Sequence, residues 1–186
     1  MKYDTPFVEF FTKQAIFTTD DARRFLTRLG AGEAYIRLML HNMVHSGRLH
    51  RIGKGAYTFH RNEVAIGFKF RPFYYGLQFT LTIRKIWTQQ SVPVIITASK
   101  ANPGVRDIMG TRVMLHRISE KAFFGFEYLN YGGLFVPVSD LEKTLLDFGY
   151  YGISLDPETM SALKKKVNKS KLMGYASKLG GKLEED

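Results

Sequence analysis

Two sets of side chains in this chain have the types and spacing to do chemistry. Asp140, Glu142, Lys143 and Asp147 crowd into one short stretch. Carboxylates beside a lysine can bind a divalent metal and activate water, which is the chemistry of a nuclease. His41 and His45 stand at i and i+4, the spacing that holds zinc on a helix in H-E-x-x-H proteases. Both patterns are incomplete. Asn42 occupies the position of the protease's general-base glutamate, and no carboxylate lies near the histidines in sequence. On a helix, Asp140, Lys143 and Asp147 share a face, whereas a nuclease draws its carboxylates from separate converging strands. Ser139-Asp140-Leu141-Glu142 reads instead as a capping box, with the serine at the N-cap and the glutamate reaching back to it. Capping and ion pairing are therefore the expected work of this cluster. Neither metal nor cofactor is expected, nor enzymatic activity.

A third set binds rather than reacts. Arg23, Arg24, Ala34, Tyr35, Arg37, Leu38, His41, Arg48, Arg51 and Lys54 fall in the stretch from Phe17 to His60, which has no acidic residue between Glu33 and Glu63. This is a pattern for duplex DNA: arginine reads guanine edges in the major groove, and neighbouring basic side chains fix the register on phosphates.

The elements that must position these residues can be argued from periodicity. Thr19 to Leu29 reads as a helix that buries Ala22, Phe25, Leu26 and Leu29 and exposes Arg23, Arg24 and Arg28. Gly30 and Gly32 allow a sharp turn. In the next helix Ile36, Met39, Leu40, Met43 and Val44 form one apolar stripe. At about 100° per residue, Ala34, Arg37, Leu38, His41 and His45 then lie opposite it, with Tyr35 and Asn42 beside them. Gly47 ends that helix. Arg48 to His60, with Gly53-Lys54-Gly55 in the middle, reads as a two-stranded hairpin carrying Arg48, Arg51 and Lys54. An opening helix over residues 5–16, burying Phe7, Val8, Phe11 and Ile16, completes the three-helix body of a winged helix-turn-helix.

The whole chain fits this reading. It has 186 residues, 45% of them hydrophobic and 24% charged, with a formal net charge of +10 and a sequence pI of about 9.7. A polyanionic partner is favoured. The absence of cysteine excludes disulfides and thiol chemistry. No run is long enough for a membrane span and the first residues lack the order of a secretory signal, so a cytoplasmic location is expected. No phosphate-binding glycine loop, dinucleotide fingerprint or serine nucleophile motif occurs.

Residues 61–71 read as a crossing to a second region. There, Tyr74-Tyr75-Gly76-Leu77 leads into an apolar helix-like segment that runs through Trp87. Val92 to Thr97 and Arg112 to Ile118 read as strands, and Tyr128 to Val138 as two strand-like runs broken by Gly132-Gly133. The helix after Ser139 is expected to bury Leu141, Leu145, Leu146 and Phe148. Aromatic clusters at Phe70–Tyr75 and Phe123–Tyr131 could stack single-stranded bases, though such density more often builds a core. From Asp156-Pro157 onward, two lysine-rich helical pieces (157–168 and 170–179) precede Gly180-Gly181 and an acidic end. Lys164, Lys165, Lys166, Lys169 and Lys171 are either a second phosphate-binding patch or a solvated face. The expected fold class is α+β: an N-terminal winged helix-turn-helix (1–62), a mixed α/β domain (63–155) and a helical tail (156–186).

Four segments carry a resemblance. Arg48-Leu49-His50-Arg51-Ile52-Gly53-Lys54-Gly55-Ala56-Tyr57 is followed by Pro72-Phe73-Tyr74-Tyr75, which opens a helix. Then come Val94-Ile95-Ile96-Thr97-Ala98-Ser99-Lys100 and Val138-Ser139-Asp140-Leu141-Glu142-Lys143-Thr144-Leu145-Leu146-Asp147. In this order they resemble the AbiEi-type antitoxins, transcriptional regulators of type IV toxin–antitoxin systems, over roughly residues 17–155. The resemblance implies a repressor that binds inverted repeats at its own promoter, as a homodimer or as two monomers per operator. It also implies action against a nucleotidyltransferase-like toxin, by contact or through the toxin's effect. The readings from other classes are a nucleic-acid-processing enzyme using Asp140–Asp147 and a protein-interaction module in which the winged helix binds a partner.

Overall fold

The structure, a computed structural model, describes residues 3–87, 89 and 91–180. The acidic end expected after Gly181 lies outside them. The chain folds as mixed α and β structure with two sheets, divided into two compact units: Met1–Lys69 with Asp107–Thr111, and Phe70–Arg106 with Arg112–Asp186.

The first unit opens with helix α1 (Asp4–Phe11), shorter than the expected 5–16, with Ile16 outside it and half-buried. Strand β1 (Phe17–Thr18), helix α2 (Thr19–Arg28) and helix α3 (Glu33–His45) follow. Strands β2 (His50–Gly53) and β3 (Ala56–Thr58) form a hairpin, and β1 pairs with β3 to give the order β1-β3-β2. A 3₁₀ segment, Glu63–Phe70, occupies most of the expected crossing. Helix α2 starts at a capping box in which Thr18 and Asp21 exchange hydrogen bonds. Helices α2 and α3 stop alike. After α2 the Ala31 N–H reaches the Leu26 carbonyl, and after α3 the Arg48 N–H reaches that of Met43. Each needs a left-handed residue, supplied by Gly30 and Gly47. Gly32 has φ −81 and is the N-cap of α3, so one glycine suffices for the turn, not two. The core joins Phe7, Phe11, Phe17, Ala22 and Leu26 to Ile36, Met39, Leu40, Met43 and Leu49. Leu29, expected inside, is 42% exposed because it is the C-cap beyond the last buried turn of α2.

The second unit holds most of a six-stranded sheet of order β6-β7-β5-β4-β9-β8, whose β6–β7 connection, Asp107–Thr111, is counted with the first unit. Its strands are β4 (Phe73–Tyr75), β5 (Val94–Thr97), β6 (Gly104–Ile108), β7 (Thr111–Arg117), β8 (Phe126–Tyr131) and β9 (Leu134–Ser139). Strand β4 runs antiparallel to β5 and parallel to β9, while β5 and β7 are parallel. Phe73-Tyr74-Tyr75 is thus a fully buried strand and not a helix opening; three apolar residues flanked by glycine and proline do not distinguish the two. Helix α4 is Leu77–Ile83, shorter than the helix expected through Trp87. Helix α5 (Leu141–Tyr150) follows β9, then α6 (Pro157–Lys166) and α7 (Lys169–Leu179). Strand β6 was not legible in the sequence, since Gly104-Val-Arg-Asp-Ile has one buried position, Ile108.

Candidate nucleic-acid interface

Helix α3 separates its residues by periodicity. Ile36, Met39, Leu40 and Met43 are buried, Val44 is half-buried, and Ala34, Arg37, Leu38, His41 and His45 are exposed. Leu38 is 57% exposed. The His41 and His45 rings stack nearly parallel, 7° apart in plane with centroids 6.2 Å apart. Among the described residues no group of three or more His, Cys, Asp or Glu is placed to hold a metal ion. Arg37 has no ion-pair partner among the described residues, so its guanidinium is free to engage a ligand.

The other basic residues of the expected interface divide into tied and free. Arg23 pairs with Asp20 in its own helix and with Glu33 at the first turn of α3. The second pair ties up Glu33, the one acidic residue in the first turn of α3, where the helix dipole is positive. Arg24 pairs with Asp21. Arg48 makes two hydrogen bonds to Asp4, at 2.9 and 3.1 Å, and so spans from the hairpin to α1. Arg51 is exposed and, among the described residues, bonds the Gly53 carbonyl at 3.2 Å; Lys54 is exposed at the turn of the hairpin. Of the expected set, Arg37, Arg51 and Lys54 therefore have no ion-pair partner among the described residues.

Tyr35 does not belong with them. It is half-buried, its ring packs edge-on against Tyr3, and its hydroxyl is buried without a hydrogen-bond partner among the described residues. Standing one residue before the buried Ile36, it falls on the border of the stripe, where the core claims a ring of that size. Asn42 and His45, by contrast, are exposed beside His41.

The carboxylate cluster of the second unit takes the opposite form. Helix α5 buries Glu142, Lys143, Thr144, Asp147 and Phe148, while Leu141, Leu145 and Leu146 are half-buried. The expected apolar face is thus displaced by a charged one. Lys143 and Asp147 form an ion pair at 1% and 0% side-chain exposure, and the Tyr74 hydroxyl donates to Asp147 Oδ2 at 2.9 Å. Burial pushes the Asp147 carboxyl up and the Lys143 amine down. It also raises the Tyr74 phenol, with the neighbouring Asp147 charge adding to the effect. The N-cap of α5 is Asp140, which accepts from the Lys143 N–H at 2.8 Å, and not Ser139. Ser139 is a buried strand end whose hydroxyl meets Thr80 and Thr144. Glu142 does not reach back to the cap. It accepts from the Asn168 N–H at 2.7 Å and from Lys171 at 3.0 Å, while Asp140 meets Lys171 and the Tyr175 hydroxyl. These charges hold α7 against α5, and a Cβ at Gly125 (φ +74) would meet both Lys143 and Tyr175 within 3 Å.

The first aromatic cluster is core, with Phe70, Phe73, Tyr74 and Tyr75 buried, while in the second Phe123, Phe124, Phe126 and Tyr131 are half-buried. Tyr74 stacks on Phe126 and leans on Phe123; Tyr128 alone of the second cluster is strongly exposed, at 65%. No helix among the described residues is long and apolar enough to cross a membrane. No protein-family model matches the chain, and no curated protein matches it.

Proposed function

We propose that the chain is a sequence-specific DNA-binding transcriptional repressor whose first unit is a winged helix-turn-helix, with α3 as the recognition helix and the β2–β3 hairpin as the wing. The observation that carries this is the outward face of α3: Arg37, Leu38, His41 and His45 exposed, Glu33 of its first turn paired with Arg23, and Arg51 and Lys54 exposed without ion-pair partners among the described residues on the strand pair that follows. A helix of this kind meets base edges through its N-terminal half while basic neighbours grip phosphates. The order α1-β1-α2-α3-β2-β3 supports the winged reading. On the resemblance given above, the operator is an inverted repeat at the chain's own promoter, and the second unit counteracts a nucleotidyltransferase-like toxin in the cytoplasm.

The test is selection of bound duplexes from a randomised pool in the presence of EDTA. An enriched inverted repeat, bound by full-length protein and weakened by Arg37→Ala, supports the reading. Failure to enrich any sequence, or strand cleavage that needs a divalent metal, overturns it. For the antitoxin role the assay is growth rescue in cells that express the toxin from an independent promoter. An Arg37→Ala, Arg51→Ala double variant at normal soluble levels should lose promoter binding and still rescue.

A further inference from the structure

The last two helices carry charge that neither the fold nor the proposed interface uses. Lys164, Lys165 and Lys166 close α6, and Lys169 and Lys171 open α7, with Val167, Asn168 and Ser170 as the other residues of the junction. No Asp or Glu occurs between Glu158 and Glu184. Lys171 is occupied by Asp140 and Glu142. Lys164, Lys165, Lys166 and Lys169 are exposed, and none has an ion-pair partner among the described residues.

Helix electrostatics account for part of this arrangement. Lysines in the last turn of α6 lie at the negative end of its dipole, where cations are stabilised. The first turn of α7 is the reverse case. It holds Lys169 and Lys171 and no acidic residue, at the positive end of a dipole that disfavours them. The Asp140 and Glu142 carboxylates compensate Lys171, but Lys169 has no such compensation. Side chains placed against local preference with no return in folding mark a surface kept for a ligand. The field at the elbow adds four free ammonium groups to the positive end of α7, and the chemistry that satisfies it is an array of phosphates. Met173 is the one strongly exposed apolar side chain on the two helices, which leaves nothing to insert into a bilayer.

We propose that the α6–α7 elbow is a second phosphate-binding surface, gripping the backbone of duplex DNA without reading its bases. This rests on the DNA-binding reading of the first unit for the identity of the polyanion. The experiment uses the full chain with Lys164, Lys165, Lys166 and Lys169 all changed to Gln, titrated against a random-sequence duplex over a series of salt concentrations. A companion variant changes the same four to Arg. The glutamine variant should melt like the parent, bind at least tenfold more weakly near physiological salt, and show a shallower log–log salt slope. The slope should fall by about 2–4, at roughly 0.9 for each phosphate no longer neutralised. The arginine variant should bind as the parent does. An unchanged slope in the glutamine variant, with Arg37→Ala still weakening the selected site, overturns the elbow and leaves the DNA reading standing. A parent chain that binds no duplex removes the DNA reading itself. Lysine-dependent retention on anionic phospholipid vesicles, with duplex binding insensitive to the four lysines, overturns the proposal in favour of a membrane surface.

Discussion

Helices α3 and α5 have similar lengths and both mix leucines with ionisable residues, yet they face opposite ways. In α3 the apolar stripe goes in and Arg37, His41 and His45 face water. In α5 Glu142, Lys143 and Asp147 go in, and three leucines are left half-buried. The difference lies in the partners. Arg37, His41 and His45 of α3 have no ion-pair partner among the described residues, so desolvating them would be uncompensated. Those of α5 meet Tyr74 from strand β4, and Asn168 and Lys171 from the tail, while Tyr175 bonds the N-cap Asp140. Hydrophobic patterning predicts the buried face only where charges lack partners. On the proposed function, the charged face of α3 serves an external ligand, whereas that of α5 serves internal assembly.

The contrast is most sharply broken at Asp147. Asp147→Ala leaves Lys143 buried and uncompensated, and should cost about 3–5 kcal/mol of stability, read by chemical denaturation. Replacing the pair together, Lys143→Met with Asp147→Leu, should recover most of that loss. A single variant as stable as the parent would mean that water reaches the pair. On α3 the same kind of change should leave folding alone. Arg37→Ala should change stability by less than about 0.5 kcal/mol while costing about 1–3 kcal/mol of affinity on a selected site, by fluorescence anisotropy. Equal losses on selected and random duplexes would make Arg37 a phosphate contact.

A smaller effect separates the helices by pH. Burial works to raise the Glu142 carboxyl, but the bonds from the Asn168 N–H and Lys171 outweigh it and hold it below the ordinary value of 4.5. A folded value below the unfolded one gives stability that is fully present above about pH 4.5 and lost as pH falls through the folded value. Thermal melts from pH 6 downward should show this acid-side loss, and Glu142→Gln should flatten it. The same slope in both proteins would remove Glu142 from the α5–α7 contact. The smallest effect belongs to Tyr35→Phe. Removing a buried hydroxyl that has no partner among the described residues should leave stability equal or higher by up to about 1 kcal/mol, with DNA affinity unchanged. A loss of affinity would return Tyr35 to the interface.

Elements with a local cause were legible from the residues alone. The stripe of α3, the left-handed glycines at 30 and 47, the Gly132-Gly133 turn between β8 and β9, and Pro157 opening α6 each follow from periodicity or backbone freedom within a few residues. The exposed face of α3 was legible for the same reason: a helix that buries one stripe must show the other. Which basic residues remain free is a matter of the fold, because Arg48 is claimed by Asp4, 44 positions away, and Arg23 by Glu33 in the next helix. So is the burial of charge in α5, since Tyr74 lies 73 residues from Asp147 and Asn168 lies 26 from Glu142. Folding also turned Phe73-Tyr74-Tyr75 into a central strand, paired antiparallel with β5 and parallel with β9. Burying a charge is unfavourable until a partner compensates the lost hydration, and that partner is found by the fold, not by the neighbouring sequence.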